Sequence, residues 1–247
     1  MNVSLYQAAA AMNAHSRWQE VIAENLTAGT VPGHRKQNVT FAQVEAGLAA
    51  QHSGGVRNAF YIPSAITSTT FQQGIIRPTG EKLDFAIDGP GFFEVQLPNG
   101  EKGYTRDGQF QLNAQGQLTT KRGHLVLSDS GPVQVDPGNP QPVTISPDGN
   151  ISQGDDSKGK LRIAEFADPN KLVSAGAGYY IIGQSGLLAE DPQSSNLRQG
   201  YLEVGEPSPS FEMSQLITSM RAFEANQKVI TMQDERLGRA INELGHT

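Results

Sequence analysis

Residues 209–244 read PSFEMSQLITSMRAFEANQKVITMQDERLGRAINEL. Pro207 and Pro209 precede the apolar positions and no proline follows. Ser208 is placed to cap a helix, with Pro209 at the first helical position, where its missing N–H costs nothing. Glu212 falls in the first turns, near the positive helix end. Met213, Leu216, Met220, Phe223, Gln227, Ile230, Asp234, Leu237, Ile241 and Leu244 then alternate by three and four residues. That spacing is a heptad seam, broken at Gln227 and Asp234. A helix of this length spans roughly 54 Å, against about 30 Å for a small domain. A compact body cannot cover the whole stripe, so the rest is expected to meet another helix, from this chain or a neighbour. The other reading is that the helix simply packs on the body as an amphipathic element.

The obvious local partner lies at the other end of the chain. Residues 3–28 contain the run Ala8 to Ala11 and meet no breaker before Gly29 and Pro32, which predicts a helix. Leu5, Ala8, Met12, His15, Gln19, Ile22 and Leu26 repeat the three–four spacing, a weaker seam because His15 and Gln19 are polar.

Between the helices the pattern is β. Strand-like runs occur at Phe85–Ile87, Phe92–Leu97, Gly103–Arg106, Phe110–Leu112, Leu125–Leu127, Val133–Val135, Val143–Ile145, Leu161–Phe166 and Tyr179–Ile182. Turn signals separate them, among them Pro98-Asn99-Gly100, Arg122-Gly123 and Pro147-Asp148-Gly149, which indicates an antiparallel sheet or a barrel-like arrangement. Val56, Phe60, Tyr61, Ile62, Ile66 and Phe71 suggest an extended stretch or hairpin upstream. The expected class is therefore α+β: an N-terminal helix over 1–29, an extended connector or hairpin over 30–75, a β-rich domain over 76–206 and a C-terminal helix over 207–247.

Composition fits turn-rich β structure, with 27 Gly and 14 Pro in 247 residues, 37% apolar and 18% charged. A formal charge of −6 and a pI near 5.4 argue against a nucleic-acid partner; His34-Arg35-Lys36 and Lys121-Arg122 are too short to track a phosphate backbone. There is no Cys, which removes disulfide, thiolate and Cys-metal chemistry. The first 30 residues lack a basic n-region, and His15, Arg17 and Glu20 interrupt any apolar run, so no cleavable secretory signal is expected. No stretch approaches the roughly 18 apolar residues of a membrane span.

Candidates for chemistry are thin. Histidines 15, 34, 52, 124 and 246 are scattered without metal-ligand spacing. No phosphate loop or nucleophile elbow occurs. Asp84 and Asp88 flank a strand, Asp148-Gly149-Asn150 and Asp155-Asp156 sit in turn-like segments, and Asp107 follows Arg106; ordinary turns account for all of them. No catalytic residue, metal or cofactor is expected.

Several of these segments carry a resemblance. Val21 to Arg35 (VIAENLTAGTVPGHR) resembles the N-terminal signature of bacterial flagellar axial proteins, a helix end leading into a Thr-Pro-Gly-aromatic-basic turn. Leu83 to Phe93, Tyr104 to Phe110 and Asn113 to Leu118 resemble that family's first strand pair and next hairpin, and Met220 to Ile230 its closing helix. Glu24, Thr27, Gly29 and His34 depart from the usual residues. Within the family the rod proteins fit best. Lys228 to Thr231, Asp234-Glu235 and Gly238 to Ala240 are similar to the proximal-rod F type, with the distal-rod G type as runner-up.

The resemblance implies a structural subunit of the flagellar basal-body rod, exported through the flagellar type III apparatus to the periplasm. It would polymerise with itself and neighbouring rod proteins into a shaft that carries torque from motor to hook. The expected assembly interface is Leu5, Met12, Ile22, Leu26, Met213, Leu216, Met220, Phe223, Ile230, Leu237, Ile241 and Leu244. The alternatives are a secreted β-rich binding module dimerising through its helices, and a β-rich hydrolase using carboxylates distant in sequence.

Overall fold

The computed structural model describes residues 3–48, 59–183, 186–205 and 208–244. It divides into two compact units, one made of 1–26, 37–69 and 208–247, the other of 27–36 and 70–207.

The first unit holds both helices and a hairpin. Helix α1 spans Val3–Ala28 and α2 spans Pro209–Leu244, the bounds that Gly29, Pro32 and Pro209 predict. The Ser208 carbonyl accepts the Glu212 N–H at 3.0 Å, the first helical bond. Strands β1 (Gln37–Leu48) and β2 (Ala59–Thr69) pair antiparallel from Gln37 opposite Thr69 to Leu48 opposite Ala59, with a register shift between Glu45 and Gly47. Of the residues read as an extended stretch or hairpin, Phe60, Tyr61, Ile62 and Ile66 lie in β2 and Phe71 lies beyond it; Val56 lies outside the described residues. Asn25 is buried and clamps the start of β1: its Nδ2 donates to the Gln37 carbonyl at 2.8 Å and its Oδ1 accepts the Gln37 N–H at 3.0 Å. His15 and Trp18 of α1 pack against Phe41 of β1, tilted and edge-on respectively, with centroids 5.3 and 5.5 Å away. Where α2 touches α1, the buried Ser219 donates to the His15 carbonyl at 3.3 Å. A small residue there lets the backbones approach.

The second unit is β. Its strands are β3 (Ile76–Pro78), β4 (Phe85–Asp88), β5 (Phe92–Gln96), β6 (Lys102–Thr105), β7 (Phe110–Leu112), β8 (Leu118–Thr120), β9 (Leu125–Ser128) and β10 (Gly131–Pro132). They continue with β11 (Val143–Ile145), β12 (Asn150–Gln153), β13 (Asp156–Lys160), β14 (Ile163–Ala164), β15 (Leu172–Gly176), β16 (Tyr179–Ile182), β17 (Asn196–Gln199) and β18 (Tyr201–Glu203). One sheet runs β15-β16-β6-β5-β9-β8-β7, with β10 on β9 and β14 on β5; β11-β12-β13, β17-β4 and β18-β3 pair separately. Among the described residues all pairs are antiparallel, and the long sheet runs from β15 at one end to β7 at the other.

Both faces of β5 are covered. Phe93 and Val95 join Phe85, Ile87, Leu118 and Val126 in one cluster, while Phe92 joins Tyr104, Phe166 and Tyr180 in another. Adjacent residues of a strand face opposite ways, so the Phe92-Phe93 doublet feeds two cores. Gly108 permits the closest approach: a Cβ there would lie 1.7 Å from the Phe85 carbonyl oxygen. Two expected strands differ. Val133–Val135 is not a regular strand: it bridges through Gln134 to Gln117 and exchanges backbone hydrogen bonds with Gly116, Leu118 and Val126, while Val133 and Val135 are buried in the core. Of Leu161–Phe166 only Ile163–Ala164 is strand, flanked by bridges at Leu161 and Glu165.

Candidate assembly interface

Helix α2 presents two faces. On the protected one, Glu212 and Ser219 are buried and Leu216, Phe223, Asn226, Ile230 and Gln233 are half-buried, recurring at four and three residues. The expected seam straddles that face. Leu216, Phe223 and Ile230 lie on it, whereas Met213 is 56% exposed, Met220 50%, Leu237 46% and Ile241 69%. The side chain of Leu244 lies outside the described residues. On α1, Ile22 is buried, and Leu5, Met12 and Leu26 are half-buried. The structure thus brings part of the expected stripe into the unit and leaves part facing solvent. Phe211, Ile217 and Met232 are exposed as well and were not among the expected residues. Ile217 had a signal: it lies four residues after Met213 and three before Met220, on the same helix face.

The motif turns have a different role. Glu203, at the end of β18, is buried and accepts from two guanidiniums. Arg35 Nη1 reaches its Oε1 at 2.5 Å and Arg106 Nη1 its Oε2 at 3.3 Å. Oε1 also accepts the Gly74 N–H at 2.6 Å, and the Glu203 carbonyl takes the Gly33 N–H at 2.9 Å. Arg35 donates further to the Gln72 carbonyl, and Arg106 Nη2 to the Gly89 carbonyl at 2.6 Å. The Arg106 guanidinium also sits 4.9 Å from the centre of the Phe92 ring. Burial lowers the Arg106 pKa to about 10, against the opposing pull of Glu203.

Gly33 has φ +66°, and a Cβ there would meet the Arg106 carbonyl carbon at 2.4 Å, which explains the Pro-Gly of this turn. Residues 33–35, 72–74 and 203 all lie close in sequence to points where the chain passes between its two units. One buried carboxylate therefore ties together, within the β unit, the segments that lead out of it. Its partners are distant in sequence, which hid the cluster from a linear reading.

The remaining candidates behave as turns and surface pairs. Arg106 pairs with Glu203 rather than Asp107. The Asp107 Oδ1 accepts the Gln109 N–H at 3.0 Å, and burial raises its pKa to about 6. Asp88 pairs with Arg198 at 2.6 Å in the open, and Asp84 bridges to Gln109. Gly149, at φ +90°, closes a turn through its N–H to the Ser146 carbonyl. His15 sits by Trp18 and Phe41, His124 packs edge-on to Tyr179, and His34 is buried; His52 and His246 lie outside the described residues. Among the described residues no group of three or more His, Asp or Glu is placed to hold a metal ion. No helix among them is long and apolar enough to cross a membrane.

A two-helix unit with exposed apolar positions, together with a sheet body that buries its own core, is the layout of a structural assembly subunit. Comparison with known proteins makes this specific. The family model described as flagellar hook protein FlgE/F/G D1 domain matches residues 86–153, and that of the flagellar basal body rod FlgEFG protein C-terminal region matches 198–243. The flagellar basal-body rod protein FlgF of Mesorhizobium japonicum is 30% identical over 246 residues, covering 99% of each chain. The FlgF of Caulobacter vibrioides is 29% identical over 246 residues, again 99% of each. The flagellar basal-body rod protein FlgG of Borreliella burgdorferi is 31% identical over 260 residues, 97% of each. The chain belongs to the flagellar basal-body rod proteins of the F and G type, a structural family of the flagellar basal body.

Proposed function

We propose that this rod subunit, of the proximal F type, polymerises through its terminal helices into the shaft that transmits torque from motor to hook. The observation that carries the proposal is the apolar surface α2 leaves in solvent, at Met213, Met220, Leu237 and Ile241. Large exposed apolar patches mark interaction sites, and a contact between unlike patches of identical subunits continues as a helical filament when its rotation does not close into a ring. In this reading Leu5, Met12, Ile22 and Leu26 of α1, with Leu216, Phe223 and Ile230 of α2, hold the helices in their working arrangement. Met213, Met220, Leu237, Ile241 and Leu244 meet other subunits, both further copies and neighbouring rod proteins. Delivery to the periplasmic rod by the flagellar type III export apparatus is part of the same proposal, as is a role without catalysis or cofactor.

The test is a double substitution, Met213→Asp with Met220→Asp. Neither residue is needed for the β unit, so thermal unfolding of the purified chain should match the parent. Isolated basal bodies should lack the variant and cells should not swim. Normal incorporation and swimming would show that the helix stripe does not drive assembly.

A further inference from the structure

We propose that the groove between α1 and the β1–β2 hairpin receives the Met213–Ile217–Met220 stripe of a second copy of this chain. The inference rests on the polymerisation reading and gives it a receiving surface.

The groove has a volume of about 350 Å³. Ala10 and Ala14, one turn apart on α1, line it; Ala14 is buried, and Val44 of β1 and Ile62 of β2 stand opposite. Two alanines at a spacing of four leave a shallow track on a helix surface, deep enough for larger side chains from another helix. Among the described residues, none of α2 lines this groove. Its lining is mostly apolar, with Asn13, Ser64 and the exposed Arg17 as its polar members.

The α2 stripe is the proposed occupant. Met213, Ile217 and Met220 occur at i, i+4 and i+7, all about half exposed or more. This is the anchor spacing by which an amphipathic helix lies in an apolar groove. Continuing at i+11, the same face presents the exposed Glu224. Glu224 follows the apolar anchors as Arg17 borders the groove, so the two surfaces carry opposite charge. Arg17 already meets Glu20 at 2.9 Å, but both side chains are more than half exposed. Such a pair contributes little and leaves the cation able to take a second carboxylate. Stripe and groove belong to one unit, so every subunit offers one donor and one acceptor surface. Unlike surfaces pairing in this way propagate into a filament wherever the rotation between copies does not close into a ring.

The absence of native Cys makes a direct test available. Full-length Asn13→Cys and Ile217→Cys chains, both changed at exposed positions, are mixed and oxidised mildly, and the same sample is imaged for filaments. The expected product is a dimer linked from residue 13 of one copy to residue 217 of another. It should be lost when Met220→Asp is added to the Ile217→Cys chain, or when Ala10→Arg fills the groove of the Asn13→Cys chain. Linkage mainly between two Ile217→Cys chains would mean that stripes pair with each other, and overturns the proposal. So would an intrachain bond in the Asn13→Cys, Ile217→Cys double variant at high dilution, because the chain's own helix would then fill the groove. Filaments without the 13–217 link would sink the groove and leave polymerisation standing. Neither filaments nor link at any concentration would sink both.

Discussion

The two units of this chain use apolar residues in opposite ways. In the β unit Phe85, Phe93, Val95 and Val126 lose all contact with solvent, and the charged Glu94, Arg106 and Glu203 are buried only because each is paired. In the helix–hairpin unit the buried side chains are mostly small or polar, namely Ala8, Ala14, Asn25, Glu212 and Ser219 with Val21 and Ile22. Phe41, Val44, Ile66, Phe211, Ile217 and Met232 remain exposed. Burying apolar area is the dominant stabilising term in folding, so the β unit has spent most of its apolar surface internally, Ile75, Leu112, Val173 and Leu188 excepted, and the helix–hairpin unit has not. A polymerising subunit needs that division: one part stable before assembly, another whose apolar surface is left for neighbours.

The largest way to break the comparison is to open the β unit from within. Glu203→Ala leaves two buried guanidiniums and the Gly74 N–H without their acceptor. Removing one partner of a buried pair costs about 3–5 kcal/mol. Calorimetry should show the main transition falling steeply, and a variant melting with the parent would mean the cluster is not needed. A smaller change strikes the other unit. Asn25→Ala removes two hydrogen bonds to Gln37, about 1–3 kcal/mol for partly buried groups. Hydrogen exchange should quicken at the Gln37 amide and along the β1–β2 ladder, while amides of the Phe85–Ile87 strand keep their protection. Equal loss of protection at both places would merge the two units into one cooperative block.

How far the sequence discloses this division depends on range. The helices were legible because their signals are local: Pro209, an alanine run, Gly29 with Pro32, and a three–four repeat. The two-faced character of α2 was not. The apolar repeat 213, 216, 220, 223 places the stripe one residue away from the face that the structure protects, because the protected face includes Glu212, Ser219, Asn226 and Gln233. A hydrophobicity pattern passes over polar residues that pack well. Strands such as β13 (Asp-Ser-Lys-Gly-Lys) and β17 (Asn-Leu-Arg-Gln) were invisible for a related reason. They carry almost no β-forming side chains and are held by partners β12 and β4. The Arg35–Glu203–Arg106 cluster was beyond reach, since its members are separated by most of the chain.

A third measurement separates the units by pH. Burial raises the Asp107 pKa to about 6 from its ordinary 3.8, so the folded β unit holds that proton more tightly than the unfolded chain. Stability on this account is greatest below about pH 4 and falls as the pH rises through about 6. Asp107→Asn keeps the oxygen that accepts the Gln109 N–H and removes the ionisation. The variant should be more stable than the parent at neutral pH, by at most about 3 kcal/mol, and should match it in acid. Urea midpoints across that range test this, and an unchanged difference between the two proteins at every pH would show that Asp107 carries no such penalty.

The smallest expected effect is the most discriminating, because it falls within one predicted stripe. Phe223 and Met220 are three residues apart on α2, both apolar and both assigned to the same seam, yet the structure half-buries the first and leaves the second 50% exposed. In dilute, unassembled protein, Phe223→Ser removes packed area and should cost about 1–2 kcal/mol in the helix–hairpin unit. Met220→Ser removes area already in water and should stay within about 0.5 kcal/mol of the parent. At concentrations where copies associate the order changes: Met220→Ser should then weaken association although it hardly touched the monomer. Circular dichroism melts at low concentration, paired with sedimentation at high concentration, read the two quantities separately. If Met220→Ser destabilised the monomer as much as Phe223→Ser, the outer stripe would be an internal surface, and the contrast between a self-satisfied sheet and an open helical unit would fail at its own best residue.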